Sequence, residues 1–322
     1  MPQVDRTDPA AGFLATFAGL DSGQRAAALS RAVSGDATVP AEVGTSAETR
    51  LALARAQLDV GDYDGAGGTL ADLAAEDPND WRIAWTDGLR RLTKDDAATA
   101  VGAFSTVYDE LPGELAPKLA LAFAAEAAGD AATAGRYFRL VWTVDRSCIS
   151  AAFGLARTCL AAGDRPGAIA ALAAVPETSS HHAAAQIAAV RILVASGMTG
   201  DDLRQADGRL NRLTLDEARR QQLTVEILRA ALGWASTGQG PGTGQAPGTG
   251  QAPGTGQAPD TGQAPGLNGS RDGLILGCEP NERALRFGLE RGYRALARLT
   301  SDRNRRIELV DMANAIRPKT WS

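Results

Sequence analysis

Few residues in this chain have side chains suited to catalysis or metal binding, and their spacing does not favour either role. His181 and His182 are its only histidines, and because successive residues point apart, they cannot bind one metal ion without other ligands. Cys148, Cys159 and Cys278 are an odd number and lack Cys-x-x-Cys spacing, which favours buried thiols over a disulfide framework or a zinc site. We therefore predict no metal site, no cofactor and no cofactor-binding residue.

Motifs of known catalytic machinery are also missing. The sequence contains no phosphate-binding Gly-Lys-Ser or Gly-Lys-Thr, no Gly-x-Ser-x-Gly elbow, no His-Glu-x-x-His helix and no EF-hand loop. Carboxylates are abundant, but nothing in the pattern selects a pair of them for acid–base work. The sequence predicts no catalytic residue and a protein that is not an enzyme by itself.

Composition favours helices and argues against several partners. Alanine, the best helix former, dominates, and aromatic residues make up 5% of the chain. A net charge of −5 gives no reason to expect nucleic acid as a partner. The chain shows neither a signal peptide nor an apolar stretch long enough to span a bilayer, so we expect a cytoplasmic protein.

The elements that carry these residues repeat with a step of 34 residues. Four sets of residues recur at this spacing, and we call each set a column. Two columns hold small residues, and two hold bulky apolar residues. The columns are Ala54, Gly88, Ala122 and Ala156; Ala66, Ala100, Ala134 and Ala168; Leu70, Phe104, Phe138 and Leu172; Leu73, Val107, Val141 and Val175. Small residues let two helices cross closely, and the bulky ones fill the space between units. The spacing predicts an all-α, tetratricopeptide-repeat (TPR-like) α-solenoid of helix–turn–helix units with flanking C-terminal helices.

The repeats divide the chain into five predicted segments. N-terminal capping helices occupy 1–46, four TPR-like 34-residue repeats 47–180, and C-terminal helices 181–236. A Gly/Pro/Gln-rich segment at 237–272 repeats TGQAPG and is predicted to be a flexible linker, and a C-terminal helical hairpin fills 273–322.

A binding groove is predicted on the inner faces of the first helices of the repeats. Its residues are Leu51, Arg55, Arg82, Trp85, Leu89, Leu119, Phe123, Phe153 and Arg157. This set is largely apolar with a few arginines, and it lacks the basic and Asn-rich clamp that reads acidic peptides. The groove is therefore expected to receive an apolar helix. The competing interpretation, which the sequence leaves equally open, is that the chain's own flanking helices cover Trp85, Phe123 and Phe153.

Several long phrases resemble a known family. These are DPNDWRIAW, VYDELPGELAPKLALA, GDAATAGRYFRLVW, SAAFGLA, AVPETSSHHAAAQIAAVR, LRFGLERGYRALARL and DMANAIRP. They resemble the C-terminal repeat region of actinobacterial protein kinase G, a family of serine/threonine kinases. The resemblance covers nearly the whole chain except the TGQAPG array.

The resemblance implies a role without catalysis. In the family, a rubredoxin-like metal module and a kinase domain precede the repeats, and no position here matches their functional residues. What carries over is a non-catalytic protein–protein interaction module that binds a kinase, a kinase substrate or itself in kinase signalling, with a homodimer among the forms expected. The alternative is a separated or truncated portion of a serine/threonine kinase whose catalytic domain is encoded elsewhere or lost.

Overall fold

The computed structural model describes residues 6–17, 19–237 and 273–318, and this part of the chain is helical. It contains sixteen helices and, apart from a single bridge between Ile275 and Cys278, no β-pairing. The all-α TPR-type class predicted from the repeats is confirmed. The predicted linker lies outside the described residues except for Thr237.

The helices alternate with short turns. Their bounds are α1 (Ala11–Ala15), α2 (Ser22–Val33), α3 (Ala41–Thr45), α4 (Ala47–Asp59), α5 (Tyr63–Glu76), α6 (Trp81–Thr93), α7 (Ala97–Glu110), α8 (Leu115–Ala127), α9 (Ala131–Val144), α10 (Ile149–Ala161), α11 (Arg165–Ala173), α12 (His182–Leu193), α13 (Gly200–Arg212), α14 (Glu217–Ser236), α15 (Glu282–Leu299) and α16 (Arg303–Ile316). They form two compact units, Met1–Ala171 and Leu172–Ser322.

In the first unit, tight turns join the first and second helices of the repeats. Gly61, Gly129 and Gly163 adopt positive φ angles of 82°, 83° and 74°, the left-handed conformation that ends a helix at lowest cost for glycine. Asp95 takes this place in the second repeat with φ of 59°. The next residue is an aspartate each time, and Asp130 accepts a hydrogen bond from the Thr133 N–H that starts α9.

The core of this unit is built from the predicted bulky columns. Phe104 and Phe138 are fully buried, and so are the alanines Ala66, Ala100 and Ala134. At Gly88 of the small column, a side chain from the second helix of the same repeat limits the size of the residue. A Cβ atom on Gly88 would lie 2.7 Å from the ring of Phe104, so a neighbouring aromatic ring sets the size limit there.

The second unit has a core of its own. Helix α14 packs against α15, which packs against α16, and Leu223, Ile227 and Leu228 of α14 are buried. Arg191 of α12 donates a 2.9 Å hydrogen bond to Glu226 of α14. Helices α12 to α16 therefore close around an apolar centre that they supply themselves.

Candidate protein-binding surface

The predicted groove residues come from the first helix of each repeat, and we call their shared face the A-helix face. Its residues are Leu51 and Arg55 of α4, Arg82, Trp85 and Leu89 of α6, Leu119 and Phe123 of α8, and Phe153 and Arg157 of α10. Helix α4 packs against α6, and α8 packs against α10. Residues four apart lie on one side of a helix, so each of these helices offers a continuous strip.

Two of the predicted residues are committed to the core. Leu51 is only 9% exposed and packs with Leu70 and Leu73, so it offers little surface to a partner. The ring of Trp85 lies edge-on to the ring of Phe104, with 5.5 Å between centroids, and its indole N–H is buried without an acceptor in the described structure. Trp85 therefore stabilises the second repeat whether or not a partner binds.

The aromatic residues further along the face are partly exposed. The ring of Phe123 lies edge-on to the buried Phe138 ring at 5.1 Å, so only part of it is available. Phe153 and Leu119 are half-buried as well. Leu160, which sequence reasoning missed, is 43% exposed and follows Phe153 by seven residues, which places both on the same side of α10. The accessible apolar part of the face therefore centres on α8 and α10.

Arg82 is held by two carboxylates. Its guanidinium lies 2.5 Å from a Glu48 oxygen and 2.7 Å from an Asp80 oxygen. Hydrogen bonding to Asp80 raises the pKa of Arg82 above its ordinary value, with Glu48 adding to the effect. Burial would raise the pKa of Asp80, but the hydrogen bonds from Arg82 outweigh it and lower that pKa. Arg82 therefore joins α4 to α6 and is not free to bind an external anion.

The remaining arginines of the face are paired too. Arg157 donates two 2.7 Å hydrogen bonds to the Glu126 carboxylate, which links α8 to α10 and raises the pKa of Arg157. Arg55 lies 3.9 Å from Asp59 on the same helix. Since every arginine of the face has a carboxylate partner inside the chain, the face is apolar and close to electrically neutral.

These carboxylates were absent from the predicted site, although the repeat spacing contains the signal for one of them. Glu48 and Arg82 are 34 residues apart, so they occupy the same place in successive repeats. Helices in successive repeats lie side by side, and opposite charges at matching places can therefore meet. Glu126 pairs with Arg157 across 31 residues, a spacing that follows from the helix positions and not from the repeat step.

The histidines and cysteines are not part of this face. His182 makes a 2.9 Å hydrogen bond from its ring to the Val175 carbonyl, and the three cysteines form no disulfide. Burial and then the nearby Asp164 raise the pKa of the Cys159 thiol. Among the described residues no group of three His, Cys, Asp or Glu could hold a metal ion, and no helix there is long and apolar enough to cross a membrane.

Comparison with known proteins identifies one family, and two of the curated relatives show how much of the chain is shared. The family described as "Protein kinase G tetratricopeptide repeat" matches residues 1–320. The chain is similar to the serine/threonine-protein kinase PknG of Mycolicibacterium smegmatis, with 34% identity over 99% of this chain and 38% of that protein. It is also 34% identical to the PknG of Mycobacterium leprae, over 86% of this chain and 33% of that protein. The chain thus spans little more than a third of their length.

Among solved structures, the one titled "MamA MSR-1 C2" matches 48% of this chain and 92% of its own, with 18% identity and a TM-score of 0.38. That likeness is below the level at which two folds are taken to be the same. The assignment of the fold therefore rests on the family match and on the helices themselves.

Proposed function

This chain belongs to the protein kinase G tetratricopeptide-repeat family, and from that premise we propose that it is a non-catalytic protein-interaction module of kinase signalling, acting in the cytoplasm. Its partner in this proposal is a kinase, a kinase substrate or a second copy of the chain. The family match covers the repeat region and leaves out the catalytic part of the relatives. Binding is the activity that a solenoid of helical repeats supports in the absence of catalytic groups.

One observation carries the proposal, namely that the A-helix face is apolar while its arginines are already neutralised. Phe153 and Leu160 present exposed apolar area, and Glu126 occupies Arg157. Releasing Arg157 for an acidic ligand would cost the charge-assisted bonds that it now makes. An amphipathic helix that inserts apolar side chains is therefore the ligand that matches this face.

The test is a substitution that changes the face without disturbing the core. Trp85 is unsuitable because it packs against Phe104, whereas Leu160 is exposed. We expect Leu160→Glu to weaken partner binding by about tenfold, since a central apolar contact of an interface is typically worth more than 1 kcal/mol. Affinity capture of the tagged chain followed by isothermal titration with the purified partner measures this.

The matched control is Ile307→Glu, the same kind of apolar-to-acidic change at an exposed residue of α16 outside the A-helix face. Both variants should keep the wild-type circular dichroism spectrum and melting temperature. Unchanged partner affinity in Leu160→Glu, with the fold intact, would remove the A-helix face from the proposal.

A second candidate function is to bind and support a kinase catalytic domain that is encoded on another chain. It is supported by the coverage of the relatives, of which this chain spans 38% and 33%. In that case the captured partner is a serine/threonine kinase domain, and the purified domain binds the chain directly with a defined stoichiometry. Capture of a partner with no kinase domain would reject this candidate while leaving the first one standing.

A further inference from the structure

Helices α9 and α10 line a second, largely apolar groove, which is distinct from the A-helix face. We call it the α9–α10 groove. It is a cavity of about 690 Å³ with Leu155 and Cys159 of α10 at its floor and Leu140 and Val144 of α9 along its wall. Leu140 is 38% exposed and Val144 is 66% exposed. Leu155 and Cys159 lie two and six residues after Phe153, so they point away from the A-helix face.

The corresponding groove two repeats earlier contains internal ion pairs that the α9–α10 groove lacks. It lies over α6 and is a cavity of about 580 Å³ lined by α5, α6 and α7. Charged residues occupy positions that are uncharged in the α9–α10 groove: Asp87, Arg90 and Arg91 precede Leu155, Thr158 and Cys159 by two repeats. In that earlier groove Asp87 pairs with Arg90 at 2.8 Å and with Arg91 at 2.6 Å. The charged side chains of the earlier groove therefore pair with one another, whereas those of the α9–α10 groove do not.

The charge at the rim of the α9–α10 groove is also unbalanced. Arg136 and Arg139 line it, both are exposed, and within the described part of the chain neither has a carboxylate at ion-pair distance. The one acidic residue of the lining, Asp164, already accepts a hydrogen bond from the Gly167 N–H at the start of α11. In a chain with a net charge of −5, this is a local positive rim above an apolar floor.

The length of the groove decides between kinds of ligand. Its wall residues run from Ala131 to Val144, the full 14 residues of α9. At 1.5 Å per residue this is roughly 20 Å, the length of a helix of about 14 residues. An open groove of that length beside a helix matches the helix-in-groove mode of recognition, in which apolar side chains at every third or fourth place insert between ridges.

We propose that the α9–α10 groove docks an amphipathic helix of a partner protein that carries acidic residues beside its apolar stripe. The apolar stripe covers Leu140, Val144 and the floor of the groove, and the acidic residues pair with Arg136 and Arg139. The rim arginines and the exposed apolar wall lie on the same helix, α9, so one bound helix can contact both. The Arg136 guanidinium lies 5.1 Å from the centroid of the Tyr137 ring, a contact that leaves its charge without a carboxylate.

The experiment uses the full chain and a synthetic probe. The probe is a fluorescein-labelled 14-residue helical peptide with leucine at positions 1, 4, 8 and 11 and glutamate beside them. A control peptide has lysine in place of each glutamate. Fluorescence anisotropy measures the Kd of each peptide for the wild-type chain and for Val144→Glu, Arg139→Glu and Leu160→Glu. Leu160→Glu is the matched control because Leu160 belongs to the A-helix side of α10 and does not line the α9–α10 groove.

The expected results separate this groove from the A-helix face. The acidic peptide binds in the roughly micromolar range, and the lysine peptide binds about tenfold more weakly, because charge sets the specificity of such contacts. Val144→Glu and Arg139→Glu each raise the Kd of the acidic peptide by about tenfold, whereas Leu160→Glu leaves it unchanged. Raising the salt concentration weakens the wild-type interaction, since the paired charges are exposed.

Three outcomes would overturn the proposal. The first is an acidic peptide that fails to bind at about 1 mM, or that binds no better than the lysine peptide. The second is loss of binding in Leu160→Glu alone, which would assign the peptide to the A-helix face. The third is a chain dimer, seen by sedimentation velocity, that Val144→Glu dissociates and the acidic peptide does not, because the groove would then hold a second copy.

Discussion

At the residue scale, single positions in the repeats are limited by what lies next to them. A Cβ atom on Gly154 would lie 2.5 Å from the Phe138 ring, closer than real Cβ contacts allow, and Phe138 is fully buried with no room to move. Gly102, which is also within a helix, has no atom within 4 Å of the same imagined Cβ atom. The same amino acid therefore has two different roles in the second and fourth repeats.

This contrast predicts opposite effects of one substitution. Gly154→Ala should lower the free energy of unfolding by about 1–3 kcal/mol, because overpacking forces the Phe138 ring from its place. Gly102→Ala should raise it by up to about 1 kcal/mol, because alanine is the better helix former in an open position. Urea unfolding followed by circular dichroism measures both, and a Gly154→Ala variant as stable as the wild type would contradict the role given to Phe138.

At the scale of the element, three of the second helices of the repeats begin at aspartates that cap them, namely Asp62, Asp130 and Asp164. Asp130 at the start of α9 accepts a 3.0 Å hydrogen bond from the Thr133 N–H, and this bond, with a second one from the Thr133 side chain, lowers the pKa of Asp130 below 3.8. A carboxylate at the beginning of a helix also interacts well with the helix dipole. The ionised form of Asp130 therefore stabilises the start of α9.

The sign of the pH dependence follows from this lowered pKa. Stabilisation by Asp130 is complete above the ordinary pKa of 3.8 and is lost as the pH falls through the lowered value in the folded chain. Asp130→Asn keeps an acceptor for the Thr133 N–H but cannot titrate, so it should be less stable than the wild type at about pH 6, and the difference should shrink towards about pH 3. Urea unfolding midpoints across this range measure the difference.

The control at this scale is Asp130→Ala, which loses the acceptor as well as the charge. It should be destabilised relative to Asp130→Asn at every pH in the range, because alanine cannot cap the helix. A constant gap between the wild type and Asp130→Asn from about pH 6 to about pH 3 would show that the ionised cap contributes nothing.

At the scale of the whole molecule, the described residues contain no group of three His, Cys, Asp or Glu that could hold a metal ion. The family match is to the repeats, and the chain spans 38% and 33% of two curated kinases. Histidine and cysteine side chains are engaged in local hydrogen bonds or buried, as His182 and Cys159 show. The proposed binding role assigns the function to surfaces of the chain and not to reactive groups.

The corresponding prediction concerns phosphoryl transfer. The purified chain should neither hydrolyse ATP nor phosphorylate a generic protein substrate above the background without protein, because such transfer requires a phosphate-binding loop and metal-binding carboxylates. Release of labelled phosphate measures the first activity and incorporation of label the second. Turnover that persists through repeated purification would contradict the non-catalytic role.

The sequence by itself determined the class of fold and the family, because both depend on local properties. A 34-residue period of small and bulky residues specifies stacked helix–turn–helix units wherever it occurs, and the left-handed turn at Gly61 or Gly129 depends only on neighbouring residues. The long phrases that resemble protein kinase G depend on residue identity alone. None of these inferences needs to know which side chains meet in space.

Only the tertiary structure decided which groups are available at the surface. Leu51 and Trp85 occupy predicted groove positions yet pack into the core, and Arg82 is neutralised by Glu48 from the preceding repeat. Exposure and charge pairing depend on the distances between different helices, and a repeat pattern does not specify those distances. For the same reason the α9–α10 groove is invisible in the sequence, where Leu140 and Val144 look like ordinary residues of an amphipathic helix.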